Sequence, residues 1–181
     1  MSTPLDYGFM EMSSMSELVV QKPRHKIQQE VPLDADGKYI ASTIKLNNNK
    51  FVTMDGLMEA LPKIISMPDS ITWIDLSFNK LTRVEPVLVQ LKNLHILYLH
   101  GNAIADFPHL EILNRATLLK TLTLHGNPVD RTSGYRFIVL SWLRQLKNMD
   151  FSAVTEFDRM QAELWGRRWS VQKNKMHGKG Y

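Results

Sequence analysis

The chain has 181 residues, of which 44% are hydrophobic and 22% charged, so it has enough apolar material for one domain around a single core. It contains no cysteine, which excludes disulfide bonds, cysteine-based zinc sites and thiol nucleophiles. The formal net charge is +4, and the sequence has neither a basic leader nor a run of about 18 apolar residues, so we expect a cytoplasmic protein without a membrane span.

Residues 1–39 show no sustained hydrophobic period. Pro4, Pro23 and Pro32 interrupt this segment, and its four basic and six acidic side chains give it a small negative charge. Proline-interrupted segments without a period do not form regular elements on their own. We therefore predict an extended N-terminal arm outside the folded domain.

The strongest signal in the sequence is a repeat. Four segments fit the template L-x-x-L-x-L-x-x-N-x-L when their asparagines are aligned, and these asparagines are 30, 23 and 25 residues apart. A fifth, degenerate copy begins at Leu146, with Met149 and Phe151 in the strand positions and no asparagine. The repeats lie near residues 41–51, 71–81, 94–104, 119–129 and 146–154, within a predicted domain of residues 40–159.

Each part of this template has a physical reason. Alternating apolar residues form a short strand with one face in the core, and the asparagine side chain bonds backbone groups where the chain leaves the strand. We therefore predict an α/β solenoid of leucine-rich repeats. A short parallel sheet lies on its concave face, and helical or irregular segments, including a helix near residues 55–66, lie on its convex side. The asparagines predicted to be structural are Asn49, Asn79, Asn102 and Asn127.

A solenoid needs closed ends, because its last coil would otherwise expose an apolar edge to water. Residues 134–143 carry apolar side chains at helical spacing, and Thr155 with Asp158 fits a capping box that starts another helix. These segments predict a C-terminal helical cap. Beyond it, residues 160–181 are predicted to form the end of that helix and a basic tail, with five basic side chains and one acidic one.

The cap segments carry a resemblance to a known class. The stretches N-P-V-D-R-T-S-G-Y-R-F-I-V-L (127–140) and L-K-N-M-D-F-S-A-V-T-E-F-D-R (146–159) resemble the C-terminal cap of short leucine-rich-repeat proteins. That class includes phosphatase regulators, splicing factors and an axonemal dynein light chain. With P-L-D-Y-G-F near the N-terminus and L-Y-L-H-G-N in the third repeat, the resemblance covers most of the chain. It implies a non-enzymatic protein of ciliated cells, as a component of the axoneme.

The strand residues that flank the core leucines point to the concave side of such a solenoid. Trp73, Ile96 and Tyr98 form an apolar cluster there that the fold itself does not require. Aromatic residues beside an aliphatic one are typical of a binding hot spot, so we predict that this face binds a partner protein. Coverage by one of the chain's own tails is the alternative. The predicted contact residues are Trp73, Asp75, Ile96, Tyr98, His100, Thr123 and His125.

No set of residues on this face predicts catalysis. A serine triad requires a strained nucleophile turn with an oxyanion hole, and neither G-x-S-x-G nor a phosphate-binding loop occurs in the sequence. His100 and His125 are predicted to lie one strand spacing apart, about 4.8 Å. Two ligands do not complete a tetrahedral zinc site. We therefore expect no enzyme activity, no bound metal and no cofactor.

The basic C-terminal segment offers a second contact surface. Its aromatic and basic side chains could dock on an acidic protein such as tubulin, contact nucleic-acid phosphates, or trail from a cap helix that buries Trp165. We favour protein partners over nucleic acid and expect no homo-oligomer. The residues concerned are Trp165, Arg167, Arg168, Trp169, Lys173 and Lys175.

Together these observations predict a non-enzymatic, protein-binding adaptor, and the resemblance implies a structural role in the ciliary or flagellar axoneme, in association with microtubules. Two alternatives stay open: a regulatory subunit of a soluble enzyme such as a phosphatase, and an RNA-associated leucine-rich-repeat module. An adaptor should remain with salt-washed axonemes. A regulatory subunit should instead be found in a soluble complex with its enzyme.

Overall fold

The computed structural model describes residues 3–24 and 30–177, with side chains described as far as residue 167. Within these residues the chain forms a seven-stranded sheet whose strand order follows the chain. The first six strands pair in parallel, and the last pair is antiparallel. The strands are β1 (Leu5–Asp6), β2 (Thr43–Lys45), β3 (Trp73–Asp75), β4 (Ile96–Tyr98), β5 (Thr121–Thr123), β6 (Asn148–Met149) and β7 (Ser152–Ala153).

The central residues of β2 to β5 form the spine of the core. Ile44, Ile74, Leu97 and Leu122 lie opposite one another in register, and all four are fully buried. Because neighbouring residues in a strand point to opposite faces, the residues on either side of this spine face the concave side. The predicted leucine-rich-repeat solenoid with its parallel sheet is thus confirmed.

Short helices connect the strands along the convex side. The helix predicted near residues 55–66 is present as α1 (Leu57–Ile64), which ends two residues after Pro62. Four of the other convex segments begin with proline, which fits a first helical turn because the N–H it lacks would have no partner there. These other segments are α2 (Pro108–Glu111) and the 3₁₀ helices Pro68–Ser70, Pro86–Gln90, Ile112–Arg115 and Pro128–Arg131.

The N-terminal segment differs from the prediction of an arm outside the domain. Residues 3–24 form an additional coil of the solenoid, in which β1 pairs with β2 and a 3₁₀ helix, Met15–Val19, follows. Tyr7 is fully buried in the common core, and its carbonyl oxygen accepts a hydrogen bond of 2.8 Å from the Asn49 side chain. The prediction was wrong because these residues are held in the fold by hydrogen bonds to the next coil. They lack the leucine spacing of the repeats, which was the signal used to recognise a coil.

The C-terminal end is closed by two helices, α3 (Tyr135–Trp142) and α4 (Glu156–His177). The predicted capping box is present: the Asp158 amide donates to the Thr155 hydroxyl at 3.1 Å, and the Thr155 amide donates to the Asp158 carboxylate at 2.9 Å. The backbone of the segment predicted as a tail is helical as far as His177. No helix in the described part of the chain is both long enough and apolar enough to cross a membrane.

The fifth repeat also differs from the prediction. Met149 is buried in β6 as expected, but Phe151 does not occupy a strand position in the core. The chain reverses at once into β7, and Asp150 and Phe151 form the reversal with φ values of 51° and 60°. As a result, the Phe151 ring is 63% exposed.

Candidate functional site

The asparagine column, defined as Asn49, Asn79, Asn102 and Asn127, is buried. The side-chain nitrogen of Asn102 donates to the carbonyl oxygens of Leu76 and Leu99 at 3.0 and 2.9 Å, and its oxygen accepts from the Leu81 amide at 3.0 Å. The other three asparagines make equivalent bonds to their own neighbours. These bonds join adjacent coils, so the asparagine column is not available to a ligand.

The residue before each of these asparagines has a left-handed backbone. Its φ is 56° at Asn48, 53° at Phe78, 69° at Gly101 and 73° at Gly126, and we call these residues the left-handed column. Glycine adopts this conformation freely and asparagine tolerates it, but for a bulky residue it costs about 1 to 3 kcal/mol. The Phe78 side chain is nevertheless 54% exposed, so burial offsets only part of that cost.

The Phe78 ring lies against its neighbours in the third repeat. Its centroid is 5.1 Å from that of the His100 imidazole, in an edge-to-face arrangement. Gly101 leaves room for the ring, because a Cβ at that position would stand 2.6 Å from Phe78 Cδ1. Gly101 is therefore required both for its own φ and for the position of the Phe78 ring.

Phe151 covers the His100 imidazole, and also that of His125, from the C-terminal side. Its ring centroid lies 5.4 Å from Tyr98, 5.5 Å from His100 and 5.6 Å from His125, each time close to edge-to-face. The exposed Phe78 and Phe151 rings thus flank His100. We refer to the resulting patch as the concave aromatic surface; it consists of Trp73, Phe78, Tyr98, His100, His125 and Phe151.

The residues predicted to bind a partner meet on this surface. Trp73 and Tyr98 lie side by side with ring centroids 5.6 Å apart, and Ile96 is opposite Trp73 in the register. The Lys45 ammonium stands 5.9 Å from the Trp73 ring, within reach of a cation–π interaction. Burial, together with the nearby Asp75 carboxylate, raises the pKa of the Tyr98 hydroxyl.

His100 and His125 form a parallel stack, with ring centroids 4.7 Å apart and planes 9° from parallel. Burial lowers the pKa of His100, and the neighbouring His125 lowers it further. Since the planes are parallel, the two rings cannot both direct a nitrogen lone pair at one ion. Across the described residues, no group of three or more His, Asp or Glu side chains could hold a metal ion.

Thr123 is the exception among the predicted contact residues. It lies in the same strand row as Tyr98 but is fully buried, and its hydroxyl is 2.8 Å from His100 Nδ1. A partner therefore cannot reach it, contrary to the prediction. Through its hydroxyl, Thr123 instead supports the His100 ring of the imidazole stack.

Asp150 connects this surface to the C-terminal cap. Its carboxylate accepts hydrogen bonds from the Leu124 and His125 amides at 2.7 and 3.0 Å and from the Tyr135 hydroxyl. Burial, and then the Asp150 charge, raises the pKa of Tyr135, so the phenol stays protonated and remains a donor. The reversal that presents Phe151 is thus fixed from both sides.

The predicted basic contact residues are divided between the cap and the end of α4. Trp165 is half-buried and packs on Gly134, where a Cβ would come within 2.5 Å of Trp165 Cζ2, so this residue belongs to the cap. Arg167 is exposed on α4. The predicted residues whose side chains lie outside the described part are Arg168, Trp169, Lys173 and Lys175.

Sequence reasoning did not find Phe78 and Phe151, nor Phe9 in the N-terminal coil. Phe9 has a φ of 59°, is 65% exposed and lies 5.6 Å from the Arg24 guanidinium. A signal for Phe78 was present in the repeats. The residue before the aligned asparagine is asparagine or glycine in three of them and phenylalanine in the second.

Comparison with known proteins places this fold in a family. The leucine-rich-repeat family model matches residues 42–175. Leucine-rich repeat-containing protein 51 of Mus musculus is 38% identical over 176 residues, which cover 97% of this chain and 91% of that protein. The Homo sapiens protein of the same name is 38% identical over 164 residues, covering 91% of this chain and 85% of its own length.

More distant similarity is found to a ribonucleoprotein component. The U2 small nuclear ribonucleoprotein A' of Saccharomyces cerevisiae is 30% identical over 153 residues, which cover 78% of this chain and 60% of that protein. A chain in the crystal structure of the Drosophila melanogaster SNF/U2A' complex matches with a TM-score of 0.61 at 23% identity, covering 81% of this chain and 88% of its own. That likeness supports the fold. By its identity to the mouse and human proteins over most of their length, the chain belongs to the family of leucine-rich repeat-containing protein 51.

Proposed function

We propose that this chain is a non-enzymatic adaptor that binds a partner protein through the concave aromatic surface, and that it is a structural component of the ciliary or flagellar axoneme. The observation that carries the binding proposal is Phe78, a bulky residue held at a left-handed φ of 53° while 54% of it is exposed. Backbone strain of this kind persists where the surrounding structure imposes it, and it concentrates at ligand-contacting positions.

Packing within the solenoid does not account for the exposed rings. The fold's own preference at this position is visible in Asn48, Gly101 and Gly126, which have the same backbone conformation without a large side chain. Exposed aromatic groups that surround half-buried ones are typical of the centre of a protein interface. The exposure of Phe78 and Phe151 also favours a partner over coverage by the chain's own termini.

The axonemal part of the proposal rests on the resemblance of residues 127–159 to the cap of a class that includes an axonemal dynein light chain. Membership of a leucine-rich-repeat family supports a protein-binding role more generally. Association with microtubules would follow if the partner is itself an axonemal component or tubulin.

Replacement of two aromatic residues tests both parts of the proposal. Tagged full-length protein, and the variants Trp73→Ala and Tyr98→Ala, would be expressed in ciliated cells and measured in salt-washed axonemes and in the soluble fraction. We expect the wild type in the axonemes and a loss of about tenfold or more in retention for each variant, since hot-spot truncations cost at least about 1.4 kcal/mol. Val52→Ala, at an exposed valine outside the concave aromatic surface, is the matched control.

Two results would contradict the proposal. Unchanged retention of both aromatic variants, with unchanged thermal stability, would exclude the concave aromatic surface as the binding site. Recovery of the wild type only in a soluble complex with an enzyme such as a phosphatase would exclude the axonemal role and favour a regulatory subunit.

A second candidate function is assembly into a ribonucleoprotein. The observation that favours it is the 30% identity to the yeast U2 small nuclear ribonucleoprotein A'. In that case the protein would sediment in a nuclear particle that is dispersed by ribonuclease. Such a particle is not expected for an axonemal adaptor, so one sedimentation experiment with and without ribonuclease separates the two functions.

A further inference from the structure

A cavity of about 590 Å³ lies where α3 packs against α4, and it is separate from the concave aromatic surface. Its charged lining comprises Arg144, Arg159 and Arg167 with Glu163. Three positive charges therefore face a single negative one. Gly166 also lines the cavity; a Cβ there would stand 3.0 Å from Ser141 Cβ, so this glycine allows the close approach of the two helices.

Arg159 is only partly satisfied by hydrogen bonds. Its Nη2 donates to the Leu146 carbonyl oxygen, whereas its Nη1 is shielded from solvent and has no hydrogen-bond partner within the described part of the chain. Burial lowers the pKa of Arg159. The Asp158 carboxylate raises this pKa by less than burial lowers it, and the positive charges of Arg136 and Arg144 lower it further. The guanidinium stays charged despite this. Burial and the neighbouring cations thus destabilise its charge, and a nearby anion would offset this effect.

Arg136, in the same cap, has the carboxylate partner that Arg159 lacks within the described residues. Its Nε and Nη2 donate to the two carboxylate oxygens of Asp158, each at 3.0 Å. Arg159 forms no such pair among the described residues, although it follows Asp158 directly in the chain. Arg159 therefore has unused hydrogen-bonding capacity at a residue that lines the cavity.

We propose that the cavity between α3 and α4 binds a phosphorylated side chain of a partner protein. Guanidinium groups match the oxygens of a phosphate in geometry as well as in charge. A phosphorylated serine or threonine carries a charge of about −1.5 to −2 at neutral pH, which balances the lining of three arginines and one glutamate. A carboxylate side chain would leave part of that positive charge uncompensated. The cavity is also far larger than the roughly 30 Å³ that one water occupies, so it admits a whole side chain.

Titration of the isotope-labelled full-length chain, followed by NMR, tests this proposal. The probes are a blocked pentapeptide with phosphoserine at its centre and glycine elsewhere, the same peptide with serine or glutamate at the centre, and inorganic phosphate. We expect the phosphopeptide to bind more tightly than the other three. Its shifts should be confined to residues around the cavity, such as Ser141 and Gly166.

Charge variants give the direction of each effect. Arg144→Ala and Arg167→Ala replace exposed arginines and should each lower the affinity for the phosphopeptide by about fivefold or more, as expected for loss of a charge-assisted hydrogen bond. Glu163→Gln should raise it by about twofold, because it removes a repelling carboxylate. Arg115→Ala, at an exposed arginine on another element, should change nothing.

Three outcomes would overturn the proposal. The first is equal affinity for the phosphoserine, glutamate and serine peptides, and the second is wild-type affinity in both Arg144→Ala and Arg167→Ala. The third is that inorganic phosphate binds at least as tightly as the phosphopeptide, which would identify the site as one for a free oxyanion. Arg159→Gln would be compared only after its fold is verified, because Arg159 also bonds Leu146.

Discussion

The asparagine column and the left-handed column run side by side along the ladder, one residue apart in each of the four repeats, yet Asn102 in the first and Phe78 in the second have opposite environments. Asn102 is buried and makes two hydrogen bonds to the preceding coil and one within its own coil. Phe78, in the left-handed column, is strained and half exposed. Both columns belong to the same turn out of the strand. The difference shows that one turn geometry buries a side chain at one position and exposes a side chain at the position before it.

Another exposed phenylalanine with a left-handed backbone lies in the N-terminal coil. At the N-terminal end, Phe9 has the same left-handed backbone and exposed ring as Phe78. In the third and fourth repeats the position is glycine, and the ring of Phe78 uses the space over Gly101. The Phe78 ring is thus accommodated because the next coil has glycine at the equivalent position.

The largest loss of stability is expected for a substitution in the asparagine column. Asn102→Ala would leave two carbonyl oxygens and the Leu81 amide without their side-chain partner inside the core. Each unsatisfied buried group costs about 1 to 3 kcal/mol, so we expect a loss of about 3 kcal/mol in the free energy of unfolding, measured by urea denaturation. Asn114→Ala, at an exposed asparagine, is the control and should change it by less than about 0.5 kcal/mol. A similar small change for both variants would show that the column does not hold the coils together.

A second prediction concerns the closure of the ladder by the cap. The hydrogen bonds from Arg136 hold the pKa of Asp158 well below its ordinary value. A carboxylate with a depressed pKa stabilises the fold above its unfolded pKa of about 3.9 and loses that contribution as the pH falls below it. Wild-type stability should thus drop more steeply than that of Asp158→Asn as the pH falls from about 4 to about 2. At neutral pH, Asp158→Asn should already be less stable by about 2 kcal/mol, because it leaves the Arg136 charge unpaired.

Thermal denaturation as a function of pH provides the measurement, with Asp36→Asn as the control at an exposed aspartate in another part of the chain. The control should follow the wild-type profile. Parallel profiles for the wild type and Asp158→Asn would contradict the assignment of the cap's acid sensitivity to this ion pair.

The smallest effect on stability, and the sharpest contrast with the asparagine column, is expected at Phe78. Phe78→Asn introduces the residue type that already occupies the equivalent left-handed position as Asn48. This substitution should leave the free energy of unfolding unchanged or raise it by up to about 1 kcal/mol. The reciprocal Asn48→Phe should cost about 1 kcal/mol or more for the same reason. A loss of more than about 1 kcal/mol in Phe78→Asn, measured by urea denaturation, would identify the ring as a packing group.

Much of the fold could be predicted because the repeat fixes the environment of each position. The period placed Leu97 and Leu122 in the spine of the core and Trp73 beside Tyr98 on the concave face, where the structure has them. The N-terminal coil could not be predicted in this way. Tyr7 is buried there by packing against the first repeat rather than by any period of its own.

The candidate site was predictable only in part, since exposure depends on neighbours outside the repeat. Thr123 was expected to be accessible, but His100 bonds its hydroxyl and its side chain is fully buried. Phe151 was expected in the core, but the reversal after β6 directs its ring over the imidazole stack. The first difference arises from a side-chain contact between neighbouring repeats, and the second from the last coil, where the chain departs from the repeat to form the cap.

Photo-cross-linking from the left-handed column tests the binding account most directly. The full-length chain with p-benzoylphenylalanine in place of Phe78 would be expressed in ciliated cells and irradiated, alongside chains that carry the same group in place of Phe151 or Val52. The account predicts that positions 78 and 151 cross-link to the same partner chain, that position 52 does not, and that Trp73→Ala abolishes the product at position 78. Cross-links from position 78 to the chain's own termini, or equal capture from positions 78 and 52, would contradict it.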